Sequence, residues 1–327
     1  MELRITRLLP PDRKGPSAAV RVCNSRFYEG NRAAHSRLQH EHFHGRVSSS
    51  RSLNSPVMAA FRLAPTRPIV RPMRQILALL ALTFLLLAPA ARAESPVLAG
   101  IAHSGELRVG LTGDYKPFSW EEPEGHFEGM DADMAAALAR DLGVRLTITR
   151  TSWPTLMDDL AAGKFDIGMG GISITEARQE KALFSMPLLS DGKAPVARCA
   201  DAERFRTLDG IDREGVRVIV NPGGTNEQFA RANIHRATLI LHKDNATVFD
   251  EIAAGRADVM MTDAIETRIV AKEYPSLCAT SPDAPFTRAE KAYLLPQDAA
   301  WKARVDDWLA RMEASGERAG IFTKWVE

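Results

Sequence analysis

The chain has 327 residues, enough for one large or two medium domains, and its formal net charge is only +1. That balance hides an uneven distribution: residues 1–72 carry +9, residues 73–93 add +2, and residues 94–327 are left at −10. An acidic folded part excludes the basic surface that a nucleic-acid partner requires.

Residues 1–72 are rich in Arg, Ser, Pro and His and show no sustained apolar period. This predicts either a disordered extension or an over-extended reading frame whose true start is Met73. His40, His42 and His44 alternate there, but no carboxylate or cysteine pattern supports a metal tract. Residues 73–93 read as a secretory signal peptide, with a basic start at Met73-Arg74, an apolar run over 76–88 and a small-x-small cleavage site at Ala91-Arg92-Ala93. The run is short for a membrane span. The expected location is the periplasm, with no stable membrane association after cleavage. Mass spectrometry of exported protein is expected to find an N-terminus near Glu94, and one at Met1 would contradict export. Beyond the leader only Cys199 and Cys278 remain. An exported protein can keep a disulfide, so a Cys199–Cys278 bridge is expected, the alternative being two buried thiols.

Residues 107–111 alternate as a first strand and run into Thr112-Gly113-Asp114-Tyr115-Lys116-Pro117-Phe118, a polar and aromatic loop of the kind α/β folds place beside ligands. Gly129-Met130-Asp131-Ala132-Asp133 opens a helix that Gly143 stops, with Asp131 or Asp133 available as its cap. A strand over 145–150 leads through Thr151-Ser152-Trp153 into a helix starting at Pro154. Trp153 at that junction is read as a ring-stacking wall, with core packing as the alternative. A strand over 165–169 then feeds Gly168-Met169-Gly170-Gly171-Ile172-Ser173-Ile174-Thr175-Glu176-Ala177-Arg178. Glycines admit a close ligand, Ser173 and Thr175 offer hydroxyls, and Arg178 offers a planar fork for a carboxylate. The stretch reads as a clamp for a small organic acid. The βαβαβ order implies a parallel sheet with covering helices.

Residues 184–200 lose the helical period and read as a crossing into a second lobe, with Lys193 upon it. That lobe repeats the first in outline. A strand over 216–220 ends in Gly223-Gly224-Thr225-Asn226 at a helix start, an anion site by its free N–H groups and dipole. Neither a G-x-G-x-x-G nor a Gly-Lys-Ser/Thr pattern is present, which removes the dinucleotide and P-loop readings. Lys243-Asp244-Asn245 starts the next helix, a strand over 257–261 ends at Thr262-Asp263, and a helix over 264–274 follows. Residues 292–295 return as a strand, with Glu290 and Lys291 at its start on opposite faces. Trp301, Val305, Trp308 and Leu309 sit at helical spacing as core. The expected organisation is lobe 1 over 94–192, lobe 2 over 193–285, and a return to lobe 1 over 286–327.

The order of these motifs resembles the type II periplasmic solute-binding proteins for polar amino acids, over residues 105–327. That resemblance implies two α/β lobes joined by two crossing strands and closing on a ligand. It also implies an α-carboxylate held by Arg178, Ser173 and Thr225, and an ammonium held by Asp263. A narrower set is similar to the exported cyclohexadienyl dehydratases, which are enzymes on the same fold: the 113–119 loop, Thr151-Ser152-Trp153-Pro154, Asp191-Gly192-Lys193, the 219–227 stretch with Phe229-Ala230-Arg231-Ala232-Asn233, and the 289–296 stretch. The resemblance implies conversion of prephenate to phenylpyruvate, and of L-arogenate to L-phenylalanine, with loss of carbon dioxide and water. The alternative is a non-catalytic amino-acid receptor of a membrane transporter.

For that chemistry the expected general acid is Glu290, facing the cleft and kept protonated by burial and by substrate charge. Asp263 is a rival acid. Lys193 is a second cation for the substrate, Asn245 a hydrogen-bonding partner for its hydroxyl or carboxylate, and Trp153 and Tyr115 flank the ring. Asp114 and Asn226 complete the substrate-binding set. With no His/Cys cluster of ligand spacing beyond the leader, no metal or cofactor is expected.

Overall fold

The computed structural model describes residues 95–327. The extension, its three alternating histidines and the signal peptide lie outside the described residues. A helix that the sequence pattern did not reveal opens them, α1 (Pro96–Ser104). Ser95 caps it by accepting from the Leu98 amide, and Gly105, at φ +66°, ends it. It is too short to display a clear period, and it directly follows the leader pattern.

The first sheet is built from β1 (Glu106–Leu111), β5 (Arg145–Arg150), β6 (Ile167–Gly168), β7 (Leu183–Phe184) and β15 (Leu294–Leu295), in the order β5-β1-β6-β15-β7. Strands β5 and β6 run parallel to β1, and the returning β15 runs antiparallel between β6 and β7. A small ribbon of β2 (Asp114–Tyr115), β3 (Ser119–Glu121) and β4 (Phe127–Glu128) stands above the end of β1. Helices α2 (Met130–Leu142) and α3 (Leu156–Ala161) supply the crossovers. Leu107, Val109 and Leu111 of β1 pack with Met134 and Leu138 of α2 and with Trp301, Val305 and Trp308. The expectation that these tryptophans are core holds: both are essentially fully buried, and the Trp301 indole donates to the Asp166 carbonyl. They belong to α9 (Ala299–Ser315), followed by α10 (Glu317–Val326).

The second sheet takes β9 (Lys193–Arg198), β10 (Arg217–Val220), β11 (Thr238–Leu241), β12 (Val259–Asp263) and β13 (Leu277–Ala279), in the order β11-β10-β12-β9-β13. Parallel β10, β11 and β12 repeat the pattern of the first lobe, and β9 pairs antiparallel with β12. Its crossovers run through α6 (Thr225–Asn233), α7 (Val248–Ala253) and α8 (Ala264–Glu273), with a short α5 (Leu208–Ile211) before β10. Two antiparallel segments link the lobes, β8 (Leu189–Asp191) and β14 (Ala289–Lys291).

The Cys199–Cys278 disulfide is present, with Cα atoms 4.8 Å apart and a sequence separation of 79. It ties the end of β9 to β13, where Cys278 already pairs with Ala197. Closing a loop of that length removes chain entropy from the unfolded state equivalent to about 4 kcal/mol. Replacing both cysteines by serine is therefore expected to lower Tm by several degrees, read by calorimetry, with turnover of the folded fraction unchanged. Among the described residues no helix is long and apolar enough to cross a membrane.

Candidate active site

The loop after β6 is shaped by an acid that the sequence reading placed elsewhere. Asp131 does not cap α2, whose cap is Gly129. It is buried, and its carboxylate accepts from the Gly170 and Gly171 amides and from the Tyr293 hydroxyl. Burial raises its pKa to about 6 against those hydrogen bonds. Gly171 has φ +69°, and a Cβ there would lie 2.5 Å from the Phe118 ring. This pinned turn delivers Ser173 and then α4 (Glu176–Gln179), which carries Arg178. Thr175 is occupied as the cap of α4.

Arg178 is buried, and its Nη1 donates to the Ser173 carbonyl at 2.8 Å. Among the described residues no carboxylate lies within ion-pair distance of it. Burial pushes its pKa down to about 10, against the more distant charge of Asp263. A buried guanidinium in that condition is prepared for an anion from outside.

Facing it across a cleft is the second lobe. Tyr115, Trp153, Gly171, Ser173 and Arg178 line the cleft from the first lobe, and Asn221, Gly224, Thr225, Asn226, Asn245 and Asp263 line it from the second. The lobes touch. The Asn245 amide donates to the Asp114 carbonyl at 2.8 Å, and the Tyr115 hydroxyl reaches Asp263. Gly223, at φ +81°, leaves room for Pro154: a Cβ there would fall 2.6 Å from the Pro154 Cα. Gly223→Ala is therefore expected to hold the lobes apart and raise KM more than it lowers Tm, a split that steady-state kinetics and calorimetry read separately.

Asp263 ends β12 at the head of α8. It accepts from Lys193 Nζ and Lys291 Nζ, each at 2.7 Å, as well as from Tyr115. The two ammonium groups hold its carboxyl far below the usual range, although burial acts the other way. Lys193 also donates to Thr225 and Asn226, and burial lowers its pKa. Lys291 also reaches the Gly171 carbonyl and the Ser173 hydroxyl. The ammonium position that Asp263 was expected to offer is thus filled from within the protein.

The structure corrects the expected acid. Glu290 is exposed on β14, opposite Ser190 of β8, and contributes only its carbonyl, which accepts from the Ile174 amide. Strand alternation sends its neighbour Lys291 inward instead, 2% exposed. The buried acid is Glu266, one helical turn from Asp263 on α8 and 2% exposed. Desolvation, chiefly, with the charges of Asp263 and Asp114, raises its pKa to about 8. Nothing in its local sequence marked it except spacing: on a helix, position i+3 from Asp263 returns to the same face. Asn221 was also missed as a cleft residue, and Lys291 as the buried ammonium that bonds the cleft residues Ser173 and Asp263.

The aromatic pair needs correction too. Tyr115 and Trp153 meet edge to face, with centroids 5.7 Å apart. A ring slotted between them needs roughly 7 Å, twice a van der Waals contact. They form one corner of the cleft. Trp153 is held there by its indole, which donates to Asp114 at 3.1 Å. Burial raises the Asp114 pKa.

The family model for bacterial extracellular solute-binding proteins, family 3, matches residues 107–327. The chain is 50% identical over 254 residues to cyclohexadienyl dehydratase of Pseudomonas aeruginosa, covering 78% of this chain and 95% of that one. Among solved structures it is similar to an ancestral amino acid-binding protein described as a precursor of cyclohexadienyl dehydratase, with 32% identity, TM-score 0.66, and coverage of 70% and 99%. It is also similar to holo ArgBP from T. maritima, with 26% identity, TM-score 0.61, and the same coverage.

Proposed function

Because the chain belongs to family 3 of the bacterial extracellular solute-binding proteins, and within it to the cyclohexadienyl dehydratases, we propose that it is an exported lyase that converts prephenate to phenylpyruvate and L-arogenate to L-phenylalanine. The observation that supports the chemistry is the burial of Glu266 one helical turn from the cleft residue Asp263, where desolvation raises its pKa to about 8. In the reaction Glu266 gives its proton to the departing ring hydroxyl. The carbon–oxygen bond breaks, the ring carboxylate leaves as carbon dioxide, and the electron pair of its carbon–carbon bond completes the aromatic ring. Water carries off the donated proton, and solvent returns one to Glu266. Aromatisation supplies the driving force, and the protein supplies orientation and the acid.

Arg178, Ser173 and Thr225 take the side-chain carboxylate, as in the resemblance. Lys193 and Lys291 stand beside the ring carboxylate and the developing charge, and the corner of Tyr115 and Trp153 bounds the ring. Asn245 has a buried side-chain oxygen without a hydrogen-bond partner among the described residues, so it can accept from the ring hydroxyl.

Mixing purified protein with prephenate and following phenylpyruvate absorbance tests the proposal. Sustained product formation is expected. Tight amino-acid binding without turnover would assign the chain to the receptors.

A further inference from the structure

The hydrogen bonds behind the cleft have a direction, and they lead to the acid. Lys193 Nζ can only donate. It donates to Asn226 Oδ1, and this fixes which way that buried amide is turned. Asn226 Nδ2 then has two protons to give, one to Asn221 Oδ1 at 3.0 Å and one toward Thr262 Oγ1 at 3.4 Å. Thr262 has a single hydroxyl proton. Its side chain is fully buried, and its hydroxyl donates to Glu266 Oε2. Among the described residues Thr262 is the only hydrogen-bond partner of the Glu266 carboxyl group.

From this chain we infer that Thr262 is a positioning residue for the acid: by donating to Oε2 it leaves the transferable proton on Oε1 and fixes the rotation of the carboxyl group. The inference rests on Glu266 being the proton donor. The order follows from its first member. If Asn226 donates to Thr262, the threonine proton is free for Glu266, and Oε2 must accept. The carboxylic acid proton then has one place to reside. Without Thr262 the carboxyl group can turn, and its proton is divided between two oxygens, one of them aimed away from the leaving group. A geometry held to a fraction of an ångström is what general-acid transfer requires.

The same hydrogen bond favours the ionised form of Glu266 and works against desolvation. The other ionisable groups that act on Glu266 are Asp263 on β12, Asp114 on β2, Lys193 on β9 and the Tyr115 hydroxyl, and none of them changes when Thr262 is replaced.

The test compares Thr262→Val and Thr262→Ser with wild type and Glu266→Gln, in prephenate turnover across pH. Thr262→Val is expected to lower kcat by roughly 10–100-fold, part of the general-acid contribution, with KM within about twofold. It should also move the alkaline limb of kcat to higher pH, because a hydrogen bond to the carboxylate has gone. Thr262→Ser keeps the donor and should restore both kcat and the limb. Loss of packing alone would lower Tm without moving the limb, and serine would not rescue it. A Thr262→Val enzyme with wild-type kcat and limb, alongside an inactive Glu266→Gln, would overturn the inference and leave the acid in place. Full turnover by Glu266→Gln would overturn both.

Discussion

Replacing Glu266 by Gln is expected to lower kcat by about 10²–10⁴-fold, the usual contribution of a positioned general acid. KM should stay within a few-fold, because glutamine keeps the shape and the hydrogen bond to Thr262. The same substitution should stabilise the protein. The folded pKa of Glu266 is raised to about 8 from an ordinary carboxyl value of 4.5. The folded state therefore binds more protons than the unfolded one between those values, and wild-type stability falls as pH rises across that window. Glu266→Gln removes this slope. Its Tm advantage over wild type should be small near pH 5 and grow toward pH 8. Lost turnover with gained stability is hard to produce by misfolding, so the two readouts together isolate the acid. By contrast, Glu290→Gln is expected to leave kcat within about twofold, as befits an exposed carboxylate. A severe loss there would return the acid to β14.

Arg178→Ala should act on binding. Truncating one partner of a buried, charge-assisted pair costs about 2–5 kcal/mol, so KM for prephenate is expected to rise at least about thirtyfold. The ligand-free protein should tolerate the change or gain from it, since the guanidinium is buried without a carboxylate partner among the described residues and burial pushes its pKa down to about 10. A raised KM with an unchanged or higher Tm is the expected pattern. An unchanged KM would mean that the carboxylate is held elsewhere.

Much of this was legible in the residues. Glycines that end helices, apolar strands that run into Gly-rich loops, and the tryptophans at helical spacing on α9 report local geometry, and local geometry survives folding. The loop that carries Ser173 and Arg178 and the helix start at Thr225 were legible for the same reason: both are continuous in sequence, at the end of a strand or the start of a helix. The acid was not. Choosing Glu290 required knowing which way β14 faces, and a step of one residue along a strand turns a side chain from cleft to solvent. Finding Glu266 required knowing that α8 starts against the other lobe, so that its first turn is desolvated. The network of Lys193, Lys291 and Asp263 was hidden in a similar way. Its members are separated by up to 98 positions, from 193 to 291, and are joined only when β9, β12 and β14 come together. Burial and charge pairing are properties of the tertiary structure, whereas the Ser173–Arg178 stretch is a property of one loop.

The pH dependence of kcat for prephenate, measured on wild-type protein at saturating substrate, tests most directly whether a buried, protonated Glu266 performs the chemistry. The acid must hold its proton to act, so kcat should be full at neutral pH and fall as pH rises through a value at or above about 8, with the substrate's own negative charge moving the limb upward. A kcat that instead falls on acidification between pH 7 and 5, or that stays constant to pH 10, would contradict the account.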